Sequence, residues 1–424
     1  MIRGTRLLLL IAALMPFVCM PVAGQRPPTR VLHPLLVGYF PSWGLTIAQP
    51  FYVKTLADNG AAGKLDQINY SQGSVRNGRC ALADPDADLS VRFTRRNSVN
   101  GKADSVFSRF RGNFHQLEEL KRRYPHLKIL ISLEGEARDF AQDAQPENRT
   151  SFVTSCVDRF LRGRFAPGVS KPGLFDGIDI DWETPRERDA QNFLELIEEF
   201  RRQMKRIRPG LLLSIAVDES PTMQAGTDFA QIALLVDQVG VMNYDYAGPW
   251  NSTTGLLAPL FADDPRDPHS IEKSIAGYEA AGVPAAKLLM GLPFYGYSWT
   301  DVDLGNDGLF QHGRPIQQDR SYNHIRSIAP NFEIYREELS QSPWLFDGET
   351  FWTYDDPVSV RFKASYAAHQ HLGGVMIWEL SGDTRDAELL NITYRSLHDP
   401  LEEKVFVERA RKHKTARQTH AAIK

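Results

Sequence analysis

Eight short apolar runs recur along the chain with helix-period segments between them, the pattern of repeated βα units around a parallel sheet. The runs are 35–40, 65–70, 127–133, 174–181, 211–217, 236–243, 288–292 and 373–378. The most regular helical segments are 114–124, 152–162, 190–207 and 271–281, with a shorter one at 229–235. Eight such units predict a (β/α)8 TIM barrel, an α/β fold, within residues 25–400, and in that fold chemistry sits at the C-terminal ends of the strands. One interval breaks the rhythm: roughly sixty residues between Tyr297 and Pro357 carry no clear barrel unit, and a loop that long needs structure of its own. Trp299, Tyr322, Trp344, Trp352 and Tyr354 are scattered through it, which argues against a disordered linker.

The fourth run leads into Asp-Gly-Ile-Asp-Ile-Asp-Trp-Glu, residues 176–183. In a strand, alternate side chains share a face, so Asp179, Asp181 and Glu183 line one wall while Ile178, Ile180 and Trp182 point the other way. Like charges at ~6–7 Å spacing disfavour one another's ionisation, and partial burial adds a desolvation penalty, so at least one acid keeps its proton at neutral pH. A general acid then stands beside a base. The alternatives are a solvated edge face, which would not need the apolar opposite face, and a carboxylate site for a hard divalent cation, which would want more oxygen ligands nearby. Asp176 is out of phase with the other three.

Asp176, Asp179, Asp181 and Glu183 together reproduce the DxxDxDxE signature of glycoside hydrolase family 18, and the chain resembles its chitinases. Further landmarks follow in order from about Leu35 to Leu397. The resemblance implies that the interval after the seventh strand is a small α+β insertion, residues 298–356, walling a deep groove. At the first strand end, Val37-Gly-Tyr-Phe-Pro-Ser-Trp43 resembles the family's opening motif, with Tyr39 lining the sugar site; a core tyrosine is the alternative. On the third strand Ser132 and Gly135 match an SxGG pattern, and the resemblance implies that Ser132 hydrogen-bonds the catalytic aspartates and orients Asp179. The sixth strand ends Met242-Asn-Tyr-Asp245, matching MxYD, so that Met242, Tyr244 and Asp245 join the site. The eighth ends at Trp378, where a flat aromatic would stack on a pyranose ring.

Two positions depart from the family. Gln72 stands where an aromatic is common, which removes a hydrophobic floor and adds a hydrogen bonder. Glu134 replaces the first glycine of SxGG, and the sequence leaves open whether it senses pH, binds sugar or turns outward.

An ordinary retaining glycosidase has two carboxyls about 5–5.5 Å apart, one acid and one nucleophile. Here the acids share one strand, and none is placed opposite Glu183 to attack the anomeric carbon. Family 18 is a substrate-assisted exception, in which the sugar's own N-acetyl oxygen attacks C1 to give an oxazolinium ion. The resemblance implies that Glu183 protonates the leaving oxygen and later activates water. It also implies that Asp181 binds the acetamido N–H while sharing a proton with Asp179, that Tyr244 holds the acetamido oxygen, and that Asp176 has a structural or electrostatic role behind them. The reading is a chitinase acting on β-1,4-linked N-acetylglucosamine polymers. An endo-β-N-acetylglucosaminidase acting on glycoproteins and a non-catalytic carbohydrate-binding member are the alternatives; such lectins typically lose the residue matching Glu183, which this chain keeps.

With 42% hydrophobic and 24% charged residues over 424 positions, the composition is that of an ordinary globular protein. Arg3 and Arg6 precede the apolar run Leu7 to Val18, and Val22-Ala23-Gly24 offers small residues for cleavage, so residues 1–24 read as a secretory signal peptide. The run is too short and too early for a membrane span. Pro16, Phe17 and Val18 are poor neighbours for lipidation of Cys19. The expectation is a secreted protein, extracellular or periplasmic, with no membrane association after cleavage and a monomeric state. Removing residues 1–24 takes the formal charge from −3 to −5, and nothing in that balance points to nucleic acid. Residues 401–424 carry seven Lys or Arg against three Glu and read as a basic, disordered tail. Cys80 and Cys156 remain as an even pair in an oxidising compartment, which favours one disulfide over a metal site. Neither a metal nor an organic cofactor is implied.

Overall fold

In the computed structural model, which describes residues 33–182, 185–262, 269–402 and 404–406, eight parallel strands close into a barrel. They are Leu35–Pro41, Gln67–Arg76, Lys128–Glu134, Gly177–Asp181, Leu212–Val217, Gln238–Val241, Leu288–Pro293 and Gly374–Trp378. Each pairs with the next, and the eighth pairs with the first, so the ring has no free edge. Closure is tight at Gly374, where φ is +149° and a Cβ would lie 2.0 Å from the Leu35 carbonyl oxygen, a position only glycine fills without strain. Outward side chains such as Ile129, Ile131, Ile178 and Ile180 are fully buried in one core with Phe114, Leu117 and Leu120 of a flanking helix.

The eight barrel helices are Val53–Asp58, Gly112–Arg123, Pro146–Cys156, Ala190–Ile207, Phe229–Leu235, Ile271–Ala280, Pro357–His369 and Glu388–His398. The helix expected at 152–162 starts earlier, at Pro146, where proline's fixed φ suits a first turn, and runs into a wider π turn over Val157–Leu161. Three of these eight are absent from the sequence reading. Val53–Asp58 has only 6 residues, too few to show a period. Pro357–His369 buries residues on more than one face, among them Val360, Phe362, Lys363, Ala364 and Tyr366, and so lacks an apolar stripe. Its start follows helix-capping chemistry: Asp356 accepts from the backbone N–H of Val358 and Ser359, both at 3.0 Å, with Pro357 next. The fully buried Lys363 of this helix is matched by Asp355, at 2.6 Å and 2.5 Å from its two carboxylate oxygens. Glu388–His398 takes its first-turn N–H bonds from Asp383, which accepts from Leu389 at 3.1 Å and Leu390 at 2.9 Å.

The second strand outruns the barrel to form a hairpin with Arg79–Leu82. Cys80 on this hairpin forms a disulfide with Cys156 at the end of the third helix, as expected, across 76 residues of sequence.

Between the seventh strand and its helix, an antiparallel sheet of five strands stands in the order Arg314–Ile316, Gly296–Thr300, Phe351–Tyr354, Pro343–Phe346, Glu333–Arg336, accompanied by the helix Tyr322–Ile328. This α+β insertion begins at Gly296, slightly before the expected 298. Trp299, Trp344, Phe346 and Phe351 form its core together with Ala247 and Leu256, which follow the sixth strand. The backbone N–H of Leu257 also donates to Thr353 Oγ1 at 2.8 Å.

Part of the segment read as a solvated tail is packed. Phe406 stacks on Phe362 with ring centroids 4.6 Å apart and meets Tyr366 and His369, because this end of the chain passes the seventh helix. Residues 407–424 and the signal-like stretch 1–24 lie outside the described residues. No helix among the described residues is long and apolar enough to cross a membrane.

Candidate active site

The alternation read from the fourth strand is present as far as it is described. Trp182 turns outward, stacked on Phe140 with ring centroids 5.4 Å apart and edge-on to Phe193, while Asp179 turns into the barrel. Register sets Ser132 of the third strand and Ser214 of the fifth level with Asp179. Ser214 Oγ donates to Asp179 Oδ1 at 2.5 Å, and Ser132 Oγ and Tyr39 Oη donate to Oδ2 at 2.9 Å and 2.8 Å. The Asn69 side chain is a further, smaller influence that favours the ionised form of Asp179. Burial raises the Asp179 pKa above the usual aspartate value, and these donors, Ser214 foremost, pull it back. Tyr39 stays a phenol: burial raises its pKa well above the ordinary value, and the charges of Asp179 and Asp181 add to the shift.

Asp181, next on the same face, is buried and lines a cavity of about 280 Å³, near the small end of ligand-sized pockets. Of the other expected site residues, Tyr39, Met242, Tyr244, Asp245 and Trp378 line this cavity too. Trp378 lies against Tyr39 at 5.3 Å and Trp43 at 6.3 Å between ring centroids, which presents a half-buried aromatic wall. Asp245 adopts φ +64°, a left-handed conformation that aspartate tolerates better than most residues. It accepts from Tyr295 Oη at 2.6 Å and Tyr297 Oη at 3.4 Å. Burial, reinforced by the Asp245 charge, pushes the Tyr297 phenol up to about 12 and Tyr295 well above its usual value. Both therefore act as fixed donors at neutral pH.

Among the described residues expected at the site, Asp176 stands apart from this cavity. Asp176 sits before the N-terminal end of its strand, at the opposite end of the barrel from the site. There it accepts from the Ile129 N–H at 3.0 Å and from Lys121 Nζ at 2.7 Å, with Arg208 at 3.4 Å. Its place is structural. Glu183 lies outside the described residues. Of the two departures, Glu134 is level with Asp181 in the parallel register and accepts a hydrogen bond from Ser71 Oγ, so it faces its neighbouring strand. Gln72 occupies a bulge in the second strand, between Ser71 and Gly73, and is half-buried.

Sequence reasoning missed Asn69, Ser214, Asp218, Glu219, Tyr295, Tyr297 and Arg320. Ser214 was findable, being a lone polar residue in phase within an apolar strand. Tyr295 and Tyr297 alternate directly after the seventh strand, another usable signal. Arg320 comes from the insertion with no local mark of its role. Among the described residues one grouping, His115, Glu118 and Glu119, has metal-ligand spacing, but Glu118 is already engaged by Arg122 at 2.8 Å and Lys171 at 2.9 Å. None of the three lines the cavity.

Comparison with known proteins places the chain. The family model for glycosyl hydrolases family 18 matches residues 35–383. Chitinase C of Streptomyces lividans is 31% identical over 370 residues, covering 83% of this chain and 58% of that protein, so the chain spans under two thirds of this relative. Among solved structures, the catalytic domain of psychrophilic chitinase B from Arthrobacter TAD20 superposes with a TM-score of 0.79 at 30% identity, covering 87% of this chain and 96% of that one. A family 18 N-acetylglucosaminidase from Paenibacillus barengoltzii gives a TM-score of 0.68 at 28% identity over 86% of this chain and 100% of that one. The fold, the residues matched and this identity agree: the chain belongs to glycosyl hydrolases family 18.

Proposed function

We propose that the protein is a secreted chitinase that hydrolyses β-1,4 bonds between N-acetylglucosamine units with retention of configuration, the acetamido group of the substrate acting as nucleophile. The observation that carries this reading is the arrangement of Asp179 and Asp181: one carboxyl is harnessed by Tyr39, Ser132 and Ser214, and the other faces a ligand-sized cavity shared with Tyr244 and Trp378. Asp181, which lines that cavity, is placed to meet the acetamido N–H. A raised Asp179 pKa favours a proton held between the two acids as charge develops on the sugar. Tyr244 supplies a phenol donor for the acetamido oxygen, and Trp378 a stacking face. Glu183, two residues beyond Asp181, is the general acid and then the base that activates water. Names carried by relatives, chitinase C and chitinase B among them, support the same substrate class.

Secretion is supported by the signal-like start and by the Cys80–Cys156 bridge, which belongs to oxidising compartments. The test is to incubate the protein lacking residues 1–24 with chitin oligomers and, separately, with an N-glycosylated protein, and to identify products by mass spectrometry. Shortened N-acetylglucosamine oligomers are expected. Release of glycans from the glycoprotein with intact oligomers would move the protein to the endo-β-N-acetylglucosaminidase reading.

A further inference from the structure

A second, larger cavity of about 1110 Å³ adjoins the one beside Asp181, bordered by the segment after the first strand and by the loop after the eighth. Three residues line both cavities, Tyr295, Arg320 and Trp378, and so form the neck between them. A sugar chain running from the smaller cavity into the larger must pass these three. Trp378 offers an aromatic face. The Tyr295 hydroxyl is already committed to Asp245 at 2.6 Å. Polar recognition at the neck falls to Arg320.

We infer that Arg320, delivered by the insertion, is a substrate-binding residue that holds the hydroxyl or acetamido oxygens of the sugar unit next to the one at Asp181. Its guanidinium lies over the rings of Tyr295 and Tyr297, 5.2 Å and 5.7 Å from their centroids, so its plane is oriented before any ligand arrives. Its backbone is held as well, because its carbonyl oxygen accepts from the Gly296 N–H at 2.8 Å. A guanidinium has five N–H donors. Among the described residues this one makes a single side-chain hydrogen bond, to Tyr297 Oη at 3.3 Å, and no ion pair, which leaves donors for a ligand. The nearby Glu379 carboxyl is taken up by Ser381, through Oγ at 2.7 Å and the backbone N–H at 3.2 Å. Pre-oriented donors at an exposed neck are what a neutral, oxygen-rich ligand needs, since little side-chain entropy remains to be lost on binding.

The inference rests on reading the smaller cavity as the sugar-cleaving site, and the experiment separates the two. Wild type, Arg320→Ala and Arg320→Met are compared on N-acetylglucosamine oligomers of increasing length, with cleavage kinetics and with binding followed by tryptophan fluorescence; melting temperatures check that the exposed substitutions leave the fold intact. For oligomers long enough to cross the neck, both variants should show KM raised about tenfold, the loss of one or two charge-assisted hydrogen bonds, with kcat little changed. The gain of the wild type with chain length should flatten. Unchanged KM in Arg320→Ala, or wild-type binding in Arg320→Met, which keeps packing on the rings but has no donors, would overturn the inference while leaving the cleavage reading standing. A wild type that binds oligomers without cleaving them, with binding weakened in both variants, would support the role of Arg320 and overturn the cleavage reading. A wild type that does neither overturns both.

Discussion

The Tyr39 hydroxyl on the first barrel strand donates to Asp179 Oδ2 on the fourth at 2.8 Å, spanning 140 positions of sequence. Asp179 therefore has its charge set from strands on both sides of the barrel interior. Each donor that favours its ionised form offsets part of the burial that disfavours it.

Tyr39→Phe removes one such donor. The Asp179 pKa, already raised, should rise further, so any rate that needs Asp179 ionised should move its acidic limb to higher pH. Stability should fall by about 1 kcal/mol, the loss of one hydrogen bond, since Ser132 still serves Oδ2. The pH profile of kcat/KM checks this, and an unmoved acidic limb would detach Asp179 from the rate.

Glu183→Gln keeps the side-chain shape and removes the transferable proton. Loss of general-acid help should cost ~10²–10⁴-fold in kcat with oligomer binding retained. Hydrolysis near the wild-type rate would show that another group is the acid.

Asp383 gives the fold a pH dependence of its own. Burial pushes its carboxyl from 3.8 to about 6, although it accepts backbone N–H bonds at the start of the last helix. The folded state thus holds a proton that the unfolded chain releases near the ordinary aspartate value. This contribution to stability is fully present below that value and is lost as pH rises towards about 6, beyond which it is flat. Urea unfolding between pH 4 and 7 should show that slope. Asp383→Asn should remove it and also lower stability, because an amide nitrogen would face an N–H donor.

The Cys80–Cys156 bridge ties the hairpin beyond the second strand to the end of the third helix. Closing so long a loop is worth ~2–5 kcal/mol in the chain-entropy account. Cys80→Ser with Cys156→Ser should melt lower than the oxidised wild type by several degrees. Two free thiols in the unreduced, unfolded wild type would show that the bridge does not form.

What the sequence made legible follows from period and phase. A strand's alternation of two was enough to separate Asp179 and Asp181 from Ile178, Ile180 and Trp182, and the same phase argument set Asp176 apart, which the structure finds at the other end of the barrel among Lys121, Arg208 and Ile129. Pro357–His369 escaped because packing on more than one face erases the stripe by which a helix is recognised. Arg320 escaped for a different reason. Its partners Tyr295 and Tyr297 are 25 and 23 positions away and meet it only because the insertion folds back on the seventh strand, a relation that no local pattern encodes.

The proposed attack on C1 comes from the substrate's own acetamido oxygen. Two successive inversions at C1 then restore the β configuration, so the first-formed product should be the β anomer, read by proton NMR of a fresh digest before mutarotation. The acetamido group must also be present. A substrate deacetylated at the unit beside Asp181 should still stack on Trp378 yet react slowly, because it lacks an intramolecular attack whose effective molarity can reach ~10⁵–10⁸ M. A stable thiazoline mimic of the oxazolinium ion should bind more tightly than the parent sugar, as analogues of high-energy species do. An initial α product would mean that water attacks first, and the roles proposed for Asp181 and Tyr244 in holding the acetamido group would then have to be abandoned.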